Sequence, residues 1–176
     1  MTKIDFYITD ISDHQELLGF ACRLTEKAVL KNHQVYIHCD SEATMMSMDQ
    51  LLWSFRPNSF LPHTMETAAA AHTPDAQTQD SETDLEANIE ANIESINETI
   101  NETSENKSAP ILIGCSGDTG EHHDVLVNLT AETPRFFSRF LRLAEVVQSD
   151  PIAKEKSRER FRFYRDRGYP LKVHNL

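Results

Sequence analysis

The first 55 residues alternate short β-rich runs with longer runs of helical spacing. That alternation constrains the fold more than any other feature of the chain. "IDFYITD" (3–9) is short and rich in β-branched and aromatic residues, which predicts a strand. It leads into a run in which Leu17, Leu18, Ala21, Cys22, Leu24, Ala28, Val29 and Leu30 recur at helical spacing, with Ser12 as the expected N-cap and Glu16 beyond it. "QVYIHC" (34–39) reads as a second strand and "DSEATMMSMDQLLWSF" (40–55) as a second helix, capped by Asp40 or Ser41. Strand, helix, strand, helix is the opening of a parallel α/β sheet with right-handed crossovers.

The pattern stops near Thr64. The next residues are biased toward Ala, Thr, Gln and acids, and then a degenerate repeat places Glu at 82, 86, 90, 94, 98 and 102. A four-residue period stacks these glutamates on one drifting helical face, where like charges repel. Ile89, Ile93, Ile96 and Ile100 form at most a narrow apolar stripe among Asn and Thr, which are poor helix formers. The segment 64–108 is therefore expected to be an acidic, low-complexity insertion that is disordered or only transiently helical.

Order resumes with "APILIGC" (109–115) and "DVLVNLT" (124–130), both strand-like, then a helical turn carrying Phe136, Phe137 and Phe140 and a strand-like "LAEVV". "SDPIAKEKSRERFRFYRDRG" has Asp150 as N-cap, Pro151 at the first helical position and Gly168 as the stop. The sum is a three-layer, Rossmann-like α/β domain with a mostly parallel sheet, formed by 1–63 and 109–176 and interrupted by the insertion. No apolar run approaches the length that crosses a bilayer, and no signal peptide opens the chain, so a soluble cytoplasmic protein is expected. Cys22, Cys39 and Cys115 are far apart and without CxxC spacing, which favours buried free thiols over a disulfide or zinc site.

Net charge is −11, but it is segregated. Residues 64–108 hold eleven acids against Lys107 alone, which is −10, while 152–176 hold eight bases against three acids, which is +5. At 100° per residue, Lys154, Arg158, Arg162 and Arg165 fall within about 80° of one another, with Phe161 at the edge of that face. Guanidinium groups beside a ring suit a short acidic peptide with an aromatic end, or a phosphate backbone. "LLWSFRPNSFLPH" (51–63) brackets a proline turn with Trp53, Phe55 and Phe60, which is either core packing or an exposed anchor for a partner.

Catalytic patterns are weaker. "GCSGDTGEHHD" (114–124) has glycines after a strand but leads into another strand, without a P-loop's Lys-Ser/Thr or a dinucleotide spacing. His122 and His123 are adjacent on an extended segment and point apart, so with Asp124 they do not converge on a metal. "HCD" (38–40) lies at a strand end, where a cysteine and a helix-capping acid account for it. No enzyme, cofactor or metal centre is expected.

Together, "FYI", "LLWSFRPNSFLPH", "DVLVNL" and above all "RERFRFYRDRGYPL" resemble the chi subunit family of bacterial DNA polymerase III holoenzyme, over 1–63 and 109–176. The resemblance implies a non-catalytic accessory subunit of the clamp loader complex acting in DNA replication. Such a subunit bridges the psi subunit and the acidic, aromatic-ended C-terminal tail of single-stranded DNA-binding protein, and meets DNA only indirectly. Family tail-binding positions fall on Arg158, Phe161 and Arg162, with Lys154 contributing and Arg165 on the same face. Phe161 departs from the tyrosine often found there, which keeps a ring but removes a hydroxyl. The psi-facing aromatics fall on Trp53 and Phe60. The alternative is an α/β protein that binds single-stranded nucleic acid directly through the basic helix.

Overall fold

The computed structural model describes residues 1–56, 60–66 and 108–176. They form strands β1 (Lys3–Ile8), β2 (Val35–His38), β3 (His63–Met65), β4 (Ile111–Gly114), β5 (Val125–Asn128), β6 (Arg142–Val147) and β7 (Leu171–Asn175), with helices α1 (His14–Val29), α2 (Glu42–Ser54) and α3 (Pro151–Asp166). The expected disorder of the insertion concerns residues that lie, for 67–107, outside those described. Met1–Glu66 and Ala109–Leu176 make one compact unit. Its sheet extends past His63 through Met65.

The seven strands run in the order β3-β4-β2-β5-β6-β1-β7. Each described pairing is parallel, so the sheet is more regular than the mostly parallel one expected. Strand order explains the layers. From β1 the chain crosses by α1 to β2, and from β2 by α2 to β3, moving in one direction along the sheet. From β6 it crosses by α3 to β7 in the opposite direction. Right-handed crossovers taken in opposite directions lie on opposite faces. Thus α1 and α2 cover Val35, Ile37, Ile111, Ile113 and Val127. Helix α3 covers Ile4, Phe6, Tyr36, Leu126 and Leu143.

Local signals set the helix ends. Asp13, rather than Ser12, caps α1 by accepting the Glu16 N–H at 2.9 Å. Ser41 caps α2, and Asp150 caps α3 by accepting the N–H groups of Ile152 and Ala153. Gly168 ends that last turn at φ 76°, a left-handed conformation that favours glycine. The 3₁₀ turn Phe137–Arg139 realises the expected aromatic turn before β6. Strand β7 and the short β3 were not anticipated, since runs of three to five residues give little signal on their own.

A buried polar cluster fixes α3 on the sheet. Glu145 of β6 is fully buried. Its carboxylate accepts from Arg160 Nε at 3.0 Å, Asn128 Nδ2 at 3.0 Å and Tyr164 Oη at 2.6 Å. Arg160 also donates through Nη1 to the Ala131 carbonyl. Burial pushes the Glu145 carboxyl up from its ordinary value, and the Arg160 charge, then the Tyr164 and Asn128 hydrogen bonds, oppose that rise. Removing one member of a buried ion pair leaves the other uncompensated, at about 3–5 kcal/mol. Arg160→Ala should lose stability on that scale, whereas Arg158→Ala, at an exposed site two residues away, should change it by under about 0.5 kcal/mol. Urea unfolding of the two variants checks the contrast.

Candidate functional site

The two surfaces singled out in the sequence lie at opposite edges of the sheet. Strand β7 forms one edge and β3 the other. Six strand spacings separate them, about 29 Å at 4.8 Å each.

At the β7 edge, α3 presents its basic face beside its buried one. Arg160 reaches Glu145 on β6 and Ala131 beyond β5. One residue on, Phe161 packs edge-on against Phe6 of β1, centroids 5.4 Å apart. Around the helix, the order from β6 to β1 continues past Phe161 to the basic residues, so they overhang β7. Arg158, Arg162 and Arg165 are exposed and Lys154 is half-exposed. Arg165 bonds its neighbour Asp166 at 3.1 Å, while Lys154, Arg158 and Arg162 make no ion pair among the described residues. Phe161 is half-buried and offers part of its ring rather than a free face. Sequence reasoning missed the strand beneath. Phe6 pairs with Val173, so Val173 shares the α3 face and is exposed there. The alternation of Leu171 and Val173 in "LKVHN" was the available signal. Exposed cations, a partly open ring and an apolar strand edge together suit an acidic chain with an apolar end.

At the β3 edge, Trp53 in the last turn of α2 is 55% exposed and Phe60 is 60% exposed, with ring centroids 4.9 Å apart. Core packing is thereby excluded for this pair. His63 lies against Trp53 at 5.3 Å and is itself held by Asp49 at 3.0 Å and by the Leu61 carbonyl at 2.7 Å. Met46, also exposed, lies two helical turns before Trp53 on the same side of α2. An exposed Trp–Phe pair on a fixed support is the kind of patch that anchors a protein partner. The residues of the proline turn, 57–59, lie outside those described.

The strand-end candidates have other uses. The Cys39 thiol is buried, and burial pushes its pKa far up, which disfavours a nucleophilic thiolate. Burial lowers the pKa of His38, whose ring packs against both Tyr36 and Phe136. Cys22 is likewise buried and pushed up to about 12, but Cys115 is partly exposed, contrary to the expectation that all three are buried. His122 is buried with Nε2 on the Ala109 carbonyl at 2.7 Å, while His123 is exposed, so the two diverge.

The glycine loop does hold an anion, but one of its own. The Glu66 carboxylate accepts the N–H groups of Cys115 at 2.9 Å, Ser116 at 3.0 Å and Asp118 at 3.1 Å, together with the Ser116 hydroxyl. A side chain at Gly114 would strike that carboxylate, its Cβ lying 2.4 Å from Oε2. Burial raises the Glu66 pKa, but the hydrogen bonds outweigh it and hold the group below its ordinary value of 4.5. A depressed carboxyl stabilises the fold above its unfolded pKa and loses that contribution as pH falls through the folded one. Glu66→Gln should therefore unfold at lower temperature than the parent at pH 7, with the gap closing below about pH 4. Melting curves of both from pH 7 to pH 3 provide the check.

Residues 1–103 and 96–172 match the family model described as DNA polymerase III chi subunit, HolC. The DNA polymerase III subunit chi of Pseudomonas aeruginosa is 35% identical over 176 residues, covering 100% of this chain and 98% of that protein. Its namesake from Haemophilus influenzae is 25% identical over 172 residues, covering 97% and 95%. The crystal structure of T4 UvsW aligns with 99% of this chain and 42% of its own at TM-score 0.57 and 10% identity, a likeness of fold alone.

Proposed function

The chain belongs to the family of DNA polymerase III chi subunits, an accessory, non-catalytic component of DNA replication, and on that premise we propose that it is a two-sided linker of the clamp loader complex. The patch around Trp53 and Phe60 takes the psi subunit. The basic face of α3 takes the acidic C-terminal tail of single-stranded DNA-binding protein. Arg158 and Arg162 receive carboxylates, Lys154 and Arg165 add long-range attraction, and Phe161 with the β7 edge lines the seat for the terminal aromatic. The domain of 1–63 and 109–176 carries both surfaces, with the acidic 64–108 as an insertion in it, and the protein works in the cytoplasm at the replication fork.

The observation that carries this reading is the stripe of Lys154, Arg158 and Arg162, without an ion pair among the described residues, alongside a half-exposed ring beside the edge strand β7. Charge attracts the tail and the apolar seat orders its end. Each contact is exposed and so individually modest, and the many tails on one coated DNA strand add avidity. The wide separation of the two surfaces lets both partners bind at once.

Calorimetric titration with the C-terminal peptide of the host's single-stranded DNA-binding protein tests the tail site. Arg158→Ala should lose about 1.5–3 kcal/mol of binding, on the scale of a charge-assisted hydrogen bond, and added salt should weaken the parent complex. Equal binding by parent and variant removes Arg158 from the site. Tight binding of bare single-stranded DNA with a steep salt slope would favour direct nucleic-acid contact instead. Trp53→Ala should abolish co-purification with psi while leaving the tail titration unchanged.

A further inference from the structure

A second cationic groove lies on the other face of the sheet. It is a half-open hollow of about 550 Å³ between the C-terminal half of α1 and the N-terminal ends of β1, β5 and β6. Its floor is apolar, formed by Tyr7, Leu24 and Ala28, and Leu141 stands at its mouth 67% exposed. Lys27 and Lys31 rise from the α1 side. Lys3 and Arg142 face them, directly opposite each other in the β1–β6 register.

The acids nearby are already engaged. Asp124 accepts the Gln34 N–H at 2.9 Å with His33 at 3.8 Å, and Asp5 lies between Arg142 at 3.3 Å and His174 at 2.8 Å. Lys3, Lys27 and Lys31 have no ion pair among the described residues. Among the described residues, three cations without an ion-pair partner thus surround one apolar hollow. The volume lies within the range of ligand pockets, about 300–1,000 Å³, and holds one large side chain with its flanking backbone. Nucleic acid fits less well, because bases need an open ring to stack on. Tyr7 is stacked on His174 at 4.6 Å and tilted against Phe20 at 5.8 Å, so it serves the hollow as apolar wall for a side chain rather than as a free face for a base.

We infer that this groove is a second docking site for an acidic peptide segment, seating one apolar side chain on Tyr7, Leu24 and Ala28 while Lys3, Lys27 and Lys31 take its carboxylates. The inference does not rest on the tail site at α3, which lies on the opposite face. It gives one chain two acidic-peptide seats, so that a polyacidic partner, or two copies of one, engages both faces.

The test uses the full chain and a fluorescent synthetic peptide of Asp and Glu residues ending in Phe. In an Arg158→Ala background the peptide should still bind, and adding Lys27→Glu with Lys31→Glu should weaken that binding by about tenfold. Lys27→Gln with Lys31→Gln, milder at the end of α1, should act in the same direction, and unchanged melting temperatures exclude misfolding. Replacing the peptide's Phe by Ala should also weaken it. Loss of all binding on Arg158→Ala, or indifference of the residual binding to the lysine variants, overturns the inference, as does an oligothymidylate that outcompetes the peptide. If Arg158→Ala changes nothing and the lysine variants abolish binding, the groove stands and the α3 site falls.

Discussion

A single carboxylate placed where water cannot reach it governs the architecture around α3. Glu145 sits mid-strand in β6, and its buried oxygens are met by donors from Asn128 on β5 and from Arg160 and Tyr164 on α3. Each donor is itself buried. Displacing the helix would strand a charge in the interior, a cost that exceeds most single packing contacts. The rotation of α3 about its axis is thereby set. Because Arg160 must face inward, Arg158 and Arg162, two residues to either side, turn outward, and Phe161 falls on the boundary.

That rotation is also what gives the helix a usable outer face. Eight bases lie between Ile152 and Leu176, but they are not equivalent. Arg160 is structural, Arg167 lies 3.6 Å from the centre of the Phe163 ring, and Arg165 is shared with Asp166. Lys156 lines a hollow on the other side of the helix and Lys172 belongs to β7 itself, so Lys154, Arg158 and Arg162 are what remains as an exposed stripe on α3. The Trp53–Phe60 patch, six strands away, is set by a different element, the end of α2 against the short edge strand β3. The intervening parallel strands keep these surfaces apart, as the proposed two-sided linker requires.

The glycine loop after β4 illustrates how an apparent ligand site is turned to structural use. Backbone amides gathered at a turn attract an anion, and here Glu66 supplies it. Gly114 is then needed for close approach of the carboxylate rather than for a phosphate. The helix N-termini at the strand ends are treated in the same way, because Asp13 and Asp150 occupy the amide positions that an anionic ligand would use.

Much of this was legible in the chain itself. Hydrophobic periodicity is a local property, so strand and helix alternation, the cap Asp150, the stop at Gly168 and the basic face of α3 could all be read directly, while the cap of α2 was narrowed to Asp40 or Ser41. The exposure of Trp53 and Phe60 could not, because an aromatic residue reads the same whether it fills a core or anchors a partner. Strands β3 and β7 escaped because a short edge strand is defined by its neighbour rather than by its own pattern. The pairing of Glu145 with Arg160, the capture of the glycine loop by Glu66, and the groove between Lys27 and Lys3 each join residues far apart in sequence. Sequence determined the elements and the charge they carry. Only tertiary structure decided which charges are buried, which are paired and which are left facing solvent, because those outcomes depend on what the sheet order brings within a few ångströms.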